Sequence, residues 1–343
     1  MPAPQTPYKP YADRFSADEH TCPTALEIVK DAGVLNGLKG KVVIITGATS
    51  GIGIETARAL HATGAKIYLA VRNLEKGAAV IKDIQSNPGS SGEGELVLLK
   101  LDTASLASVR SAAKEFLSKE KTLNILVNNA GIMACPYTLT DDGLESQIAT
   151  NHFGHFLFFQ LLKDTMLSSS SASFQSRVID VASSGHALCQ INFDDIHFKK
   201  GDYNTWNAYG QSKLANIYMA SSIERHYGAK GLHAFSLHPG VILTTGIASN
   251  MDPAQAHLIS LSEESFGNLL ITAEQGAATT VWAAVSPDLE GRGGTYLADV
   301  GEASPREPGE NQGGPGYAPY AYDEELEEKL WKLSYETVGV PEE

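Results

Sequence analysis

Short apolar runs alternate with amphipathic stretches along most of the chain. The runs at 41–45, 67–71, 96–101, 123–127, 178–181, 233–237 and 294–297 predict buried strands. Periodic patterns beginning near residues 52, 74, 105, 143, 207 and 272 predict helices between them. This alternation is typical of a parallel sheet with helices on both faces. We therefore predict an α/β fold, a single doubly wound domain with a central parallel sheet of about seven strands.

Both ends of the chain depart from this alternation. Residues 1–38 predict a loop-like N-terminal arm, and the alternating pattern occupies residues 39–300. Residues 301–343 predict a C-terminal extension that ends in a helix. Its segment 303–322 is dense in Gly, Pro, Tyr and Glu, which predicts an irregular insertion.

The formal net charge of −14 over 343 residues argues against nucleic acid and anionic membrane surfaces as partners. The longest apolar run, 153–162, is shorter than the roughly 20 residues that cross a bilayer. The start of the chain lacks the apolar core of a signal peptide. We therefore expect no membrane span and a cytoplasmic location.

Cysteines and histidines show no metal-ligand spacing. The odd number of scattered cysteines suits a reducing compartment, and they are Cys22, Cys135 and Cys189. His152 and His155 are three residues apart on a predicted helix, but no acidic or cysteine partner is evident. We expect no metal site.

A glycine-rich turn follows the first predicted strand and opens the first helix. Glycine allows a sharp backbone turn, and a helix start offers free N–H groups to a pyrophosphate. The spacing differs from the usual G-x-G-x-x-G, with three residues between the first two glycines and one between the last two. The predicted dinucleotide-binding residues of this turn are Thr46, Gly47, Thr49, Ser50, Gly51, Ile52 and Gly53.

The end of the second strand indicates which dinucleotide binds. Many dinucleotide folds place a carboxylate there to hold the ribose, whereas this chain has Arg72. Arginine pairs with a 2′-phosphate, so we predict NADP(H) rather than NAD(H), the alternative being a surface arginine. Asp102 and Thr103, after the third strand, are further candidates for the cofactor site. Asp102 could accept from the adenine amine, cap the next helix, or do both.

Tyr209 and Lys213 are four residues apart and share one face of a predicted helix. A free phenol has a pKa of about 10, too high for efficient proton transfer near neutral pH. A neighbouring ammonium favours the phenolate, and a shift of roughly three units corresponds to about 4 kcal/mol. The pair therefore predicts proton transfer with an alcohol or a carbonyl.

Five motifs in this order and spacing together resemble the short-chain dehydrogenase/reductase family over about residues 37–297. They are 46–53, Asn-Asn-Ala-Gly at 128–131, Ser183, 209–213 and His-Pro-Gly at 238–240. The stretches 129–136, 151–155 and 212–216 resemble its retinol-dehydrogenase-like branch. Residues 24–28 and 330–334 resemble the dehydrogenase domain of WW-domain oxidoreductase. The resemblance implies a Rossmann-type domain and a nicotinamide cofactor.

The resemblance also implies catalytic roles. Ser183 would donate a hydrogen bond to the substrate oxygen, with the adjacent Ser184 as the alternative. Tyr209 would be the acid/base, and Lys213 would lower the pKa of Tyr209 and hold the nicotinamide ribose. Asn151 would hold a water that links Lys213 to solvent, unless it is a helix-interior amide bonded to its own backbone.

Two further segments match cofactor contacts of the family. Asn129, Ala130 and Gly131 would lie beside the cofactor and brace the sheet. The segment that would contact the nicotinamide carboxamide comprises Pro239, Gly240, Val241 and Thr244, with Thr245 as a substitute for Thr244.

We thus predict an NADP(H)-dependent oxidoreductase that transfers a hydride between the nicotinamide and a lipophilic ketone, aldehyde or secondary alcohol. An apolar lid at about 246–266 and the 303–322 insertion would set substrate selectivity. The alternative is a cofactor-binding regulatory or scaffold protein with little or no turnover. By resemblance, the two long helices that contain Asn151 and Tyr209 would pair in a homodimer or homotetramer.

Overall fold

The computed structural model of the chain describes residues 5–8, 22–87, 92–252, 255, 270–307 and 314–342. The strands are β1 (Val42–Thr46), β2 (Lys66–Val71), β3 (Leu96–Lys100), β4 (Ile125–Asn128), β5 (Ser176–Val181), β6 (Leu232–Leu237), β7 (Tyr296–Ala298) and β8 (Gly301–Glu302). The main helices are α1 (Ala25–Asp31), α2 (Ile52–His61), α3 (Leu74–Ser86), α4 (Leu106–Lys119), α5 (Gly154–Ser169), α6 (Thr205–Tyr227), α7 (Ala278–Val285) and α8 (Glu324–Val338).

Within the described ranges, eight strands form one sheet in the order β3-β2-β1-β4-β5-β6-β7-β8. Neighbouring strands pair in parallel except β7 and β8, which form an antiparallel hairpin. The strand order reverses between β1 and β4, and open α/β sheets bind ligands at the carboxyl ends beside such a point. The predicted doubly wound α/β fold is confirmed.

The continuous apolar run of β1 is explained by helices that cover both faces of the sheet. Successive side chains of a strand point to opposite faces. Ile44 packs into the core formed with α4, α5, α6 and α8. Val43 and Ile45 pack into the core formed with α1, α2 and α7. The whole strand is therefore buried, as expected for the centre of a parallel sheet.

The strand β8 is an addition that the sequence pattern did not predict. The two-residue turn between β7 and β8 has a positive φ at both Asp299 (52°) and Val300 (57°). A turn of this kind matches the twist of a hairpin, but a β-branched residue rarely adopts it. The backbone N–H of Val300 donates to the Thr279 hydroxyl at 3.1 Å, and Val300 is fully buried. Tertiary packing therefore stabilises a turn that local preference disfavours.

The long helix predicted at 143–167 is not one regular helix. A short helical turn, Ser146–Ile148, leads into a π-helix, Ala149–Phe153, before α5 begins at Gly154. A Cβ on Gly154 would lie 2.0 Å from the Thr103 carbonyl oxygen, so the loop after β3 crosses this helix very closely. Such π-bulges are frequent at functional sites, and this one contains Asn151.

The C-terminal helix α8 covers α5 and α6. Trp331 packs edge-on against Phe156, with ring centroids 5.0 Å apart, and the Tyr335 hydroxyl donates to Gln160 at 3.0 Å. Arg225 on α6 forms an ion pair with the buried Glu327 on α8. These contacts cover part of the surface of both long helices. The homodimer or homotetramer expected through these helices stays a prediction.

The described part of the 303–322 insertion is mostly irregular. Its regular features are a single bridge between Pro305 and Tyr317 and a 3₁₀ turn, Pro319–Ala321. The N-terminal arm contacts β8, where Gln5 and Glu302 exchange hydrogen bonds of 2.8 and 3.0 Å. The division at residues 38 and 300 stays a prediction.

Across the described ranges, none of the helices has the length and apolar character that a bilayer crossing requires.

The buried His152 predicts how stability responds to acid. Its Nε2 lies 2.8 Å from the Ser334 hydroxyl of α8, and burial lowers its pKa to about 3. Below about pH 6.5 the unfolded chain binds a proton at this residue, whereas the folded chain does not until about pH 3. The free energy of unfolding should therefore fall as pH decreases through this window.

We expect the His152→Gln variant to lose less stability on acidification than the unchanged protein. Between about pH 5.5 and 4, the slopes of unfolding free energy against pH should differ by about 1.4 kcal/mol per pH unit, which corresponds to the binding of one proton. Urea unfolding at a series of pH values measures both slopes. Parallel curves for the two proteins would contradict the buried neutral state of His152.

Candidate active site

A cavity of roughly 1180 Å³ opens at the carboxyl ends of the central strands. It is lined by most of the predicted site residues, namely Thr46, Gly47, Thr49, Ser50, Ile52, Arg72, Asp102, Thr103, Asn129, Ala130, Gly131, Ser183, Tyr209, Lys213, Pro239, Gly240 and Val241. The predicted residues outside its lining are Gly51, Gly53, Asn151 and Thr244. The sheet topology therefore brings residues from seven separate segments of sequence to one site.

The start of α2 lies at this cavity and fits a pyrophosphate. Gly51 is the N-cap residue, and no side chain caps the helix there. By contrast, Asn73 caps α3 and Ser105 caps α4 through their side chains. An uncapped helix start directs its free N–H groups and its positive dipole end at an anion.

Two of the predicted cofactor glycines, Gly51 and Gly53, lie in close contact with neighbouring segments of the chain. A Cβ on Gly53 would lie 2.5 Å from the Gly47 carbonyl oxygen and 2.7 Å from Asn129 Nδ2. Gly51 has a φ of 52°, and a Cβ there would lie 2.7 Å from Thr245 Cγ2. The prediction that these two glycines contact the cofactor stays untested, because the cavity lining includes neither of them.

Thr46 joins the first and fourth strand ends. Its Oγ1 accepts from the N–H groups of Asn129 and Ala130, both at 2.9 Å. It also lies 2.9 Å from Nε2 of the buried His155. A second hydrogen bond joins the same two residues, in which Asn129 Nδ2 donates to the Thr46 carbonyl at 2.8 Å. The Thr46 hydroxyl and the Asn129 amide therefore both stabilise the turn that follows β4.

The tip of β2 carries two cations at the cavity. Arg72 is exposed and lines it, as predicted from the absence of a carboxylate at this strand end. Lys76 lines it as well, and the sequence analysis missed this residue. The sequence could have indicated Lys76, because an N-cap at Asn73 places it in the first turn of α3, next to the strand end.

Asp102 lines the cavity but does not cap the next helix. Its Oδ1 accepts from the Ala104 N–H at 3.0 Å, and its own N–H donates to the Ser108 hydroxyl at 2.9 Å. Ser105 caps α4 instead, by accepting from Ser108 N–H at 3.3 Å. The capping alternative for Asp102 was therefore wrong.

Ser183 and Tyr209 are adjacent in the cavity wall. The Ser183 hydroxyl accepts from the Gly185 N–H at 3.0 Å and is close enough to the Tyr209 phenol to lower its pKa. The Tyr209 ring lies so close to Gly185 that a Cβ there would be 2.8 Å from Cε1. Ser184 is buried, and its N–H donates to His238 Nδ1 at 3.2 Å. The geometry favours Ser183 over Ser184 as the partner of Tyr209.

The expected lowering of the pKa of Tyr209 is wrong for this structure. Burial raises the pKa of Tyr209 to about 12, and the hydrogen bond from Ser183 offsets only part of this effect. Lys213 Nζ lies 5.8 Å from the centre of the tyrosine ring and donates to the Val181 carbonyl at 2.9 Å. Burial lowers the pKa of Lys213 to about 8, while the nearby Asp180 raises it. Near neutral pH the phenol is therefore protonated and the amine mostly charged.

Asn151 lies behind the cavity wall. Its amide exchanges two hydrogen bonds with the backbone of Ile132, at 2.9 and 3.0 Å, and donates to the Ser212 hydroxyl at 2.8 Å. A Cβ on Gly131 would lie 3.2 Å from Asn151 Oδ1 and 3.4 Å from Lys213 Nζ. The alternative that this amide bonds its own backbone was wrong, because it joins two other segments of the chain.

A buried polar pair beneath Lys213 was not predicted. Asn128 Nδ2 donates to Asp180 Oδ1 at 2.8 Å, and both side chains are almost fully buried. Burial raises the pKa of Asp180 to about 7, although the bond from Asn128 and the charge of Lys213 both lower it. The sequence could have indicated this pair, because Asp180 is an acidic residue in an otherwise largely apolar strand, and such a group rarely lies in a core without a partner.

After β6, Thr245 replaces Thr244 at the cavity. Thr244 is exposed and does not line the cavity, whereas Thr245 does. Apolar residues that the sequence analysis did not assign to the site also line it, among them Met133, Leu188 and Trp206, and Ile247 of the predicted lid lines it as well. Trp206 precedes Tyr209 by three residues on α6, so helical spacing could have indicated it. Of the predicted lid, residues 253–254 and 256–266 lie outside the described residues.

Within the described ranges, no group of three or more His, Cys, Asp or Glu side chains is placed to hold a metal ion.

Comparison with known proteins gives consistent relatives along nearly the whole chain. The family model described as short chain dehydrogenase matches residues 41–256. The chain is 48% identical over 322 residues to the short-chain dehydrogenase/reductase prx1 of Penicillium rubens, covering 93% of this chain and 91% of that protein. It is 36% identical over 310 residues to human retinol dehydrogenase 11, covering 89% of this chain and 87% of the relative.

Solved structures share the same architecture. An uncharacterised protein from Mycobacterium paratuberculosis is 33% identical and has a TM-score of 0.67, covering 90% of this chain and 97% of that one. Pseudomonas aeruginosa RhlG, solved with NADP, is 21% identical and has a TM-score of 0.60, covering 77% of this chain and 96% of that one. At this identity the likeness concerns the fold alone. On the family match and these identities, the chain belongs to the short-chain dehydrogenase/reductase family of oxidoreductases, in its retinol-dehydrogenase-like branch.

Proposed function

We propose that this protein is an NADP(H)-dependent oxidoreductase that reduces lipophilic ketones or aldehydes and can oxidise the corresponding alcohols. The observation that carries the proposal is the adjacent Ser183 hydroxyl and Tyr209 phenol in a cavity wall that also contains Lys213. When bound, the nicotinamide cofactor supplies or accepts the hydride. The chain supplies placement, hydrogen bonds and a proton.

The uncapped start of α2 would hold the pyrophosphate, next to the lining residues Gly47, Ser50 and Ile52. Arg72 and Lys76 would pair with a 2′-phosphate, which only NADP(H) carries, and no carboxylate at the tip of β2 would repel it. These two cations support NADP(H) over NAD(H). Asp102 and Thr103 would lie at the adenosine end, as their positions after β3 suggest.

Tyr209 would give its proton to the substrate oxygen. Its phenol carries a proton at neutral pH, and the Lys213 ammonium, 5.8 Å from the ring centre, would favour release of that proton to the substrate oxygen. Ser183 would donate a second hydrogen bond to the same oxygen, where negative charge develops during reduction. Donating that bond does not disturb the Gly185 contact, in which the Ser183 oxygen is the acceptor. A protonated phenol is the form that carbonyl reduction requires.

Lys213 would hold the nicotinamide ribose and restore the proton to Tyr209. Its ammonium is within reach of the cavity, and the Val181 carbonyl holds it in place. The role of Asn151 as the holder of a connecting water stays a proposal. It is supported by the closeness of Gly131 to both Asn151 Oδ1 and Lys213 Nζ.

The substrate would be apolar. The side chains of Met133, Leu188, Trp206 and Ile247 line the cavity, and Trp206 is directly beside Tyr209, with ring centroids 6.4 Å apart. An apolar wall beside one proton donor is the usual arrangement for orienting a lipophilic molecule. This arrangement supports a lipophilic carbonyl compound rather than a sugar or an acid.

Replacement of Tyr209 by phenylalanine tests the acid directly. We expect kcat for carbonyl reduction to fall by at least about 100-fold, the range of general acid catalysis, with NADPH affinity unchanged within about threefold. Tyr68→Phe is the matched control, because Tyr68 is buried but its hydroxyl bonds to Glu120, away from the cavity. NADPH binding with no turnover of any carbonyl compound by the unchanged protein would favour a regulatory role instead.

Replacement of Arg72 by alanine tests the cofactor preference. Loss of a charge-assisted hydrogen bond should weaken NADPH binding about tenfold or more and NADH binding less than about threefold. Fluorescence titration of both nucleotides measures the two dissociation constants. Lys82→Ala removes a cation from α3 outside the cavity and controls for net charge. Equal losses for both nucleotides would remove the argument for NADP(H).

Replacement of Gly185 by alanine tests the placement of the tyrosine ring. The added Cβ would lie 2.8 Å from Tyr209 Cε1, so the ring must shift away from Ser183. A displacement of this size should lower kcat at least about tenfold without abolishing NADPH binding. Gly201→Ala is the matched control, since nothing lies within 4 Å of its added Cβ. Equal activity in both variants would show that the ring position is not critical.

A further inference from the structure

Residues 314–322 of the C-terminal insertion lie outside the cavity lining, yet they reach the back of the proposed active site. We propose that His186 is a positioning residue that holds the backbone of Ser183 and connects residues 314–322 to it. The inference rests on the proposed function of Ser183 for its kinetic consequence, but its structural consequence can be measured separately. None of the described residues of 303–307 and 314–322 belongs to the cavity lining.

Both ring nitrogens of His186 make short contacts. Nδ1 lies 2.6 Å from the Ser183 carbonyl oxygen, and Nε2 lies 3.0 Å from the backbone nitrogen of Ala318. The Ala318 N–H can only donate, so Nε2 must accept and Nδ1 must carry the proton. The neutral Nδ1–H tautomer is thereby selected, and Nδ1–H donates to Ser183.

Burial keeps the ring in this state. His186 is completely buried, which lowers its pKa to about 4. A protonated ring would direct a second N–H at the Ala318 N–H, where no acceptor faces it. The charged group that acts on His186 from the insertion is Arg306, and it also favours the neutral ring. The link between Ala318 and Ser183 is therefore intact at neutral pH.

The insertion makes further contacts around the same histidine. The Tyr320 hydroxyl donates to the His186 carbonyl at 3.3 Å, and the Tyr296 hydroxyl lies 3.5 Å from Nδ1. Tyr322 fixes the insertion to β7 by accepting from the Tyr296 N–H at 2.7 Å. Its ring packs edge-on against Tyr317, with centroids 4.8 Å apart. Residues 317–322 are thus held to β7 and to His186 by several contacts.

Support at this point acts on the catalytic geometry. The Ser183 carbonyl accepts from both the His186 N–H, at 3.1 Å, and the ring Nδ1–H. The Ser183 hydroxyl in turn accepts from the Gly185 N–H in the same turn. Loss of the ring bond leaves a partly buried carbonyl with one donor fewer, and the turn can then move the Ser183 hydroxyl away from Tyr209.

Three variants separate the two ends of the link. His186→Asn places an amide nitrogen where Nδ1 lies, so it can keep the bond to Ser183. His186→Gln reaches the position of Nε2 and can keep the contact with Ala318 only. Ala318→Pro removes the N–H donor, and the φ of −67° at Ala318 already suits proline.

We expect His186→Gln to lower kcat for carbonyl reduction at least tenfold, with the KM for NADPH unchanged. His186→Asn should retain activity within about threefold of the unchanged protein. Ala318→Pro should lower kcat about as much as His186→Asn does, because both variants lose only the contact at Ala318, and combining the two should cause no further loss. Equal kcat in His186→Asn and His186→Gln would overturn the positioning role.

Amide hydrogen exchange tests the link without any turnover. Peptides covering residues 183–188 should exchange at least tenfold faster in Ala318→Pro and His186→Gln than in the unchanged protein, while peptides from α4 should not change. Unchanged exchange at 183–188 would overturn the inference even if the enzyme is active. Faster exchange in a protein that reduces no carbonyl compound would support the link and reject the proposed function.

Discussion

The interaction on which the site depends most is the burial of the Lys213 ammonium against the carboxyl end of β5. A buried cation is costly unless its hydrogen bonds and charge are matched. The Val181 carbonyl accepts one bond from Lys213, and the nearby Asp180 raises its pKa. Because α6 carries both Lys213 and Tyr209, this contact also places the phenol at the cavity, beside Ser183.

Around this centre the chain uses polar side chains to join segments rather than to bind solvent. Thr46 joins the ends of β1 and β4, Asn151 joins the turn after β4 to α6, and His186 joins the turn after β5 to the C-terminal insertion. Each group is buried and hydrogen-bonded, so each restricts where its backbone can lie. The turns that bound the cavity are therefore held in place by buried side chains on the side away from the cavity.

The predicted site residues that the structure brings to the cavity follow local rules. Glycines between a strand and a helix, and a tyrosine and a lysine four residues apart, have a meaning that needs no distant partner. Arg72 was predicted because the strand end lacks a carboxylate, and the structure places it at the cavity. The errors concern groups whose role depends on a neighbour: Asp102 does not cap α4, Thr245 rather than Thr244 lines the cavity, and the pKa of Tyr209 is raised.

Apolar periodicity and glycine placement by themselves determined the alternation of strands and helices, the parallel sheet and the edge at which ligands would bind. These features depend on the preferences of nearby residues and on side-chain direction, which repeat along the chain. Only the tertiary structure decided the hairpin at Asp299 and Val300, the π-helix around Asn151 and the docking of α8. It also decided the charge states of Tyr209, Lys213 and His186, because desolvation depends on how completely distant segments enclose a group.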